Sequence, residues 1–117
     1  MKKIYHLGTC NTCQRIIREL GTPADFEYQD IKAEPLDAKQ LEELCHLAGS
    51  YEALFSKRAR LYKERNLKER DLGEEDIREL LLEHYTFLKR PVVVHNDQIF
   101  IGNAAKTVAA AKEAIKN

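Results

Sequence analysis

The sequence predicts an α/β fold: helices packed on a four-stranded mixed sheet, with a helical subdomain inserted between its two halves. Three observations carry this. A strand, a helix and a second strand follow one another between Lys3 and Ile31. A β-branched run, Val92-Val93-Val94, leads through a turn signal into another apolar run. Between these halves, from about residue 35 to 86, the pattern is almost entirely helical. The whole chain, 1–117, is thus expected to be one domain with an insertion at about 35–86.

The first strand is Lys3-Ile4-Tyr5-His6-Leu7, ended by Gly8-Thr9. A helix follows with Cys13, Ile16, Ile17 and Leu20 on one face, the i, i+3, i+4, i+7 spacing of an apolar stripe. Gly21-Thr22-Pro23 stops it. Phe26 and Tyr28 then alternate with Asp25, Glu27 and Gln29, the period of a strand with Phe26 and Tyr28 on its buried face. A strand, helix and strand at this length form a βαβ unit, so the first two strands should be parallel.

Asp37 is a good N-cap for the next helix, whose stripe is Leu41, Leu44, Cys45 and Ala48. Gly49-Ser50 closes it, Tyr51 to Leu54 forms a short turn, and Ser56-Lys57-Arg58-Ala59-Arg60 is a basic patch. Lys63 to Arg70 is charged throughout and reads as a solvated helix or loop. A further helix starts after Gly73, with Glu74, Glu75 and Asp76 matching the dipole of its first turn. Its stripe runs Ile77, Leu80, Leu81 and His84. Pro91 lacks a donor and should open the strand Val92–Val94. His95 to Gln98 makes a hairpin into Ile99-Phe100-Ile101, and Asn103 is placed to cap a last helix carrying Ala104, Val108, Ala111 and Ile115.

Composition narrows the function. Lys plus Arg and Asp plus Glu number 19 each, so net charge gives no general reason to expect direct nucleic-acid or anionic-membrane binding. No apolar run approaches the roughly 20 residues of a membrane span, and no signal-peptide pattern follows the two N-terminal lysines. Three cysteines do not make a secreted disulfide framework, which points to a cytoplasmic setting and to redox chemistry. Neither Cys45 nor any histidine pair completes metal-ligand spacing, so no metal is expected.

The chemistry centres on Cys10-Asn11-Thr12-Cys13. Cys10 precedes the first turn of a helix, where unpaired N–H groups and the dipole favour an anion; the thiolate is the reactive form. Cys13 lies on the apolar stripe. This makes an asymmetric pair, with Cys10 exposed and nucleophilic and Cys13 sheltered and resolving. Thr9 and Thr12 flank the nucleophile as thiolate donors or as plain helix caps. Lys57, Arg58 and Arg90 are candidates to lower the Cys10 pKa and to hold an anion. Proline fixes the direction of Arg90, whereas Lys57 and Arg60 read as a solvated face. Cys45 reads as a small buried hydrophobe, and His6 and His84 as core histidines.

Four stretches occur in one order and spacing: Cys10-Asn11-Thr12-Cys13-Gln14-Arg15, Ile31-Lys32-Ala33-Glu34-Pro35-Leu36, Glu83-His84 through Arg90-Pro91, and Ile101-Gly102. Together they resemble the arsenate-reductase-like family of bacteria, which also contains the Spx transcriptional regulators and the YffB-type proteins. The resemblance covers nearly the whole chain. It implies a thioredoxin-like core with an inserted helical subdomain, Cys10 as the redox-active cysteine, a cis Pro91 close to it, and Arg90 facing the site. Arsenate reductases proper set three arginines around the oxyanion. Arg90 matches one, whereas Ser56 and Gly102 stand where the other two are expected. Arg58 matches a basic residue of the Spx and YffB-type branches, and Cys13 is the Spx-like feature.

The expected function is a thiol-dependent reductase acting on a small oxyanion or a thiol substrate. It would hold no bound cofactor and would draw on glutathione, glutaredoxin or thioredoxin as reductant. The alternatives are a glutathione-dependent thiol reductase without arsenate activity, and a redox-switched regulator that binds RNA polymerase.

Overall fold

The computed structural model describes residues 1–116. In chain order the elements are β1 (Lys2–His6), α1 (Asn11–Leu20), β2 (Glu27–Asp30), α2 (Ala38–Ala48), α3 (Arg60–Glu64), α4 (Glu74–Glu83), β3 (Val92–His95), β4 (Gln98–Ile101) and α5 (Ala105–Lys116). Short 3-10 turns lie at Glu52–Leu54, Leu67–Glu69 and Tyr85–Phe87. The chain divides into two compact units: Met1–Glu34 with everything from Arg90 onward, and Pro35–Lys89.

The first unit holds a four-stranded sheet in the order β2-β1-β3-β4. β1 runs parallel to β2 and antiparallel to β3, and β3 is antiparallel to β4. The sheet is therefore mixed, as the βαβ spacing and the later hairpin require. The hairpin loop is the two residues between His95 and Gln98, with Asn96 left-handed at φ 59°, a conformation asparagine tolerates in such turns. The core gathers Ile4 and Val93 from the sheet, Ile16 and Leu20 from α1, Val108 and Ala111 from α5, and Phe26. Small residues on α5 let that helix lie close to α1 and the sheet.

Two expectations in this unit fail. Tyr28 is 48% exposed and Gln29 only 2%, the reverse of the alternation expected for β2. The register sets Gln29 beside buried Tyr5, and its amide donates to the Glu34 carbonyl at 2.9 Å. Tyr28 sits at the open margin of an edge strand, where its hydroxyl bonds Thr22. At the last helix, Ala104 rather than Asn103 supplies the first helical acceptor, to the N–H of Val108 at 3.0 Å.

The second unit is helical. Asp37 and Gln40 cap α2 reciprocally: Asp37 Oδ1 accepts the Gln40 N–H at 2.7 Å and Gln40 Oε1 accepts the Asp37 N–H at 3.2 Å. Glu74, the first residue of α4, accepts the N–H groups of Tyr51 and Glu52 at 2.7 and 3.0 Å. Phe55 and Phe87 stack with centroids 5.5 Å apart, and the charged stretch still buries Leu67. The expected stripe position at His84 is a correction. α4 ends at Glu83, and His84 is extended, its Nδ1 accepting the Thr86 N–H at 3.0 Å to start the next turn. That local bond ends the helix one residue before the periodic pattern does.

Candidate active site

The loop from Leu7 to Cys10 brings β1 into α1. Cys10 is the N-cap residue, with extended backbone (φ −91°, ψ 112°), and its carbonyl accepts the first helical N–H from Gln14 at 3.1 Å. Its own N–H donates back to the Leu7 carbonyl at 3.0 Å. Gln14 reinforces that turn, its amide lying 3.4 Å from both the Leu7 carbonyl and the His6 Nδ1. The Cys10 side chain makes no capping hydrogen bond of full geometry, yet the backbone N–H groups of Cys13 and Thr12 are near enough to its sulfur to favour the thiolate. Cys13, on the buried face of α1, is fully enclosed. The two thiols stand 3.7 Å apart and are not bonded to each other.

Their environments push their proton affinities in opposite directions. Partial burial opposes ionisation of Cys10. The backbone bond from Cys13, the Cys13 thiol, the backbone bond from Thr12 and the Arg90 charge outweigh it and hold Cys10 below its ordinary value. Cys13 is pushed up to about 11, first by burial and then by its bond to Cys10 and the charge Cys10 carries; a backbone bond from Leu7 and the Arg90 charge oppose this only in part. One arginine thus acts on both sulfurs.

Arg90 is half-buried and precedes Pro91, which is buried; the peptide bond between them is cis. The Pro91 carbonyl accepts the Gly102 N–H at 2.9 Å. Gly102 has φ 93°, a conformation that L side chains rarely adopt, so an arginine there would be strained. Thr9 is exposed in the loop, and Thr12 is half-buried in the first turn of α1. Arg58 belongs to the helical unit and is exposed in the turn before α3. Its neighbours Lys57 and Arg60 face Glu52 and Glu64, at 4.0 and 3.5 Å.

Cys45 also lies in the helical unit. Its thiol is pushed up by burial and by the charges of Glu74 and Glu42, with a bond to Tyr51 opposing. Among the described residues no cluster of three or more His, Cys, Asp or Glu side chains is arranged to hold a metal ion. No helix among them is long and apolar enough to cross a membrane.

Sequence reasoning passed over two residues beside the site, Gly8 and Asp30. Asp30 Oδ1 accepts the Lys32 N–H at 3.1 Å, and the carboxylate also accepts the Gly8 N–H. The available signal was an aspartate two residues before an N–H at a strand end, the pattern of an Asx turn. That its other partner is Gly8 depends on strand register, which the sequence does not print.

The sequence matches the ArsC family over residues 5–111. This chain belongs to the ArsC family. Solved structures share the ArsC architecture. An arsenate reductase from Vibrio cholerae superposes with TM-score 0.78 at 23% identity, covering 94% of this chain and 96% of that one. A protein described as a possible arsenate reductase from Streptococcus mutans gives 0.71 at 27% identity, covering 93% and 98%. An arsenate reductase (ArsC) related protein from Brucella melitensis gives 0.70 at 22% identity, covering 93% and 92%. The thioredoxin-like core with its mixed sheet is the fold of these neighbours. No curated protein matches the chain in sequence.

Proposed function

We propose that this ArsC-family chain is a thiol-dependent oxidoreductase in which Cys10 is the nucleophile and Cys13 the resolving thiol. The observation that carries the proposal is the pair itself: two free thiols 3.7 Å apart, one held below and the other far above its ordinary pKa. With a disulfide substrate, the Cys10 thiolate attacks one sulfur and expels the other as a thiolate, leaving a mixed disulfide. Cys13 then gives up its proton and attacks the Cys10 sulfur. The substrate thiolate leaves, and a Cys10–Cys13 disulfide remains. With an oxyanion such as arsenate, Cys10 bonds the central atom with loss of water. Attack by Cys13 on the Cys10 sulfur leaves the bonding electron pair on arsenic, reducing it by two electrons.

The order of events follows from the shifts. While Cys10 is a thiolate, its bond and its charge both keep Cys13 protonated. Once Cys10 is capped by substrate, both influences vanish, and Arg90 still favours a thiolate at Cys13. Burial still opposes ionisation, but the resolving thiol is eased toward the thiolate when there is something to resolve. Arg90 is proposed to stay on the site as the cation that acts on both sulfurs and on a bound anion, with Pro91, Thr9 and Thr12 as further substrate-binding residues. Glutathione, glutaredoxin or thioredoxin would return the disulfide to two thiols, and no bound cofactor is needed.

The test is turnover of arsenate, and separately of a mixed disulfide with glutathione, using glutathione plus glutaredoxin or thioredoxin as reductant. Turnover of either substrate that Cys10→Ser abolishes is the expected result. Turnover of the disulfide alone assigns the chain to thiol reduction without arsenate activity. No turnover of either, with RNA polymerase retained specifically by the oxidised chain, refutes the enzyme reading in favour of a redox-switched regulator.

A further inference from the structure

We propose that Asp30 is a positioning residue for Cys10: its carboxylate ties the loop that carries Cys10 to the end of β2. This rests on the reading of Cys10 as the reactive thiol. Asp30 is the last residue of β2 and is aligned with His6, the last residue of β1. The adjoining Ile31 N–H donates to the His6 carbonyl at 2.9 Å, so the strand pair continues to its end. From there the carboxylate reaches across to the next turn of chain. Oδ1 accepts the Lys32 N–H at 3.1 Å, and the carboxylate also takes the N–H groups of Gly8 and Ala33.

Gly8 is where the two segments meet most closely. A Cβ built on Gly8 would overlap Asp30 Oδ2 and stand 3.3 Å from its Cγ. The glycine thus serves the close approach of the Asp30 carboxylate, which a Cβ would push aside, and not an unusual φ. Two residues on is Cys10, whose N–H is bonded to Leu7. Leu7 in turn bonds the Cys13 sulfur through its backbone. The loop from Leu7 to Cys10 is thus held from the α1 side by Cys10 and Gln14, and from the β2 side by Asp30. Releasing the second hold lets the loop drift, and the Cys10 sulfur loses alignment with the N–H groups of Thr12 and Cys13 that stabilise its thiolate.

The groups facing Cys10 are Cys13 and Arg90; the titratable side chain facing Asp30 is His6. Asp30 is not among the main influences on the Cys10 sulfur, so its proposed effect passes through the backbone. This gives the experiment a sign. If Asp30 mattered only as a nearby negative charge, removing it would favour the thiolate and speed alkylation. If it positions the loop, removing it slows alkylation.

The measurement is the pH profile of iodoacetamide alkylation at Cys10 in the full chain, for wild type, Asp30→Ala, Asp30→Asn, Gly8→Ala and the Gly8→Ala/Asp30→Ala double variant. Circular dichroism establishes that each is folded at the assay temperature. The expected result is an upward shift for Asp30→Ala, slowing alkylation near neutral pH by about twofold, since the more basic thiolate returns part of the roughly threefold loss of thiolate that half a pKa unit produces. Asp30→Asn keeps one acceptor oxygen and falls between wild type and Asp30→Ala. Gly8→Ala slows alkylation because its methyl meets the carboxylate, and the double variant is no slower than Asp30→Ala alone, since the clash is gone. An unchanged or downward-shifted profile in folded Asp30→Ala or Asp30→Asn, with wild-type Cys10 still the fastest thiol, overturns the positioning role alone. If wild-type Cys10 is not the fastest thiol, the underlying reading falls and the positioning role with it.

Discussion

A brief pulse of iodoacetamide at about pH 8 should label Cys10 at least about tenfold faster than Cys13. Cys10 lies below its ordinary value of 9.0, so about one tenth or more of it is thiolate under these conditions. Cys13, at about 11, is ionised to about one part in a thousand. The thiolate populations therefore differ by about a hundredfold or more. Nucleophilicity works the other way, because a more basic thiolate reacts faster. With a Brønsted slope of about 0.4 to 0.5 over two pKa units, this returns about tenfold to Cys13. The net preference for Cys10 is still about ten, and burial of Cys13 adds to it. Both cysteines fall between Lys3 and Arg15, so one tryptic peptide carries them and fragment-ion mass spectrometry assigns the label. Low conversion is essential, because capping Cys10 relieves Cys13. Equal labelling of the two, or faster labelling of Cys13, would refute the assignment of roles.

Arg90→Gln removes a cation that favours both thiolates, so the alkylation profile of Cys10 should move to higher pH. A profile at the wild-type position in the folded variant would show that the backbone donors alone activate Cys10. In the helical unit, Asp37→Ala deletes the reciprocal cap of α2 and should cost about 1 kcal/mol, lowering the melting temperature by about 3–6 °C. Thermal unfolding followed by circular dichroism checks this, and an unchanged midpoint would mean that the cap is not the start of a stabilised helix.

Local elements were legible where one residue carries one local cause. Asp37 at an N-cap and the left-handed C-cap glycines Gly21 and Gly49 each form without reference to distant chain. The placement of Cys10 and Cys13 was legible for the same reason, since Cys10 stands before the first turn as the N-cap while Cys13 lies inside the helix on its apolar stripe. Tyr28 and Gln29 were misread because alternation reports a face only when the strand's neighbours are known. At a sheet edge the aromatic residue faced water, and the glutamine found a partner in Glu34. His84 was misread because a three-residue bond to Thr86 competes with the helix and wins at its last turn.

By itself, the sequence determined a cysteine at a helix start with a second thiol one turn behind it, and the alternation of strands and helices that makes a βαβ unit. Those depend on spacing along the chain. The environment that separates the two thiols was decided only by tertiary structure. Arg90 is 80 residues from Cys10, yet its charge reaches both sulfurs because the strand it leads into pairs with β1. Asp30 meets Gly8 because parallel pairing brings the ends of β1 and β2 level. Proton affinity answers to whatever charge, donor or burial lies within a few ångströms, and folding sets those neighbours through register and packing.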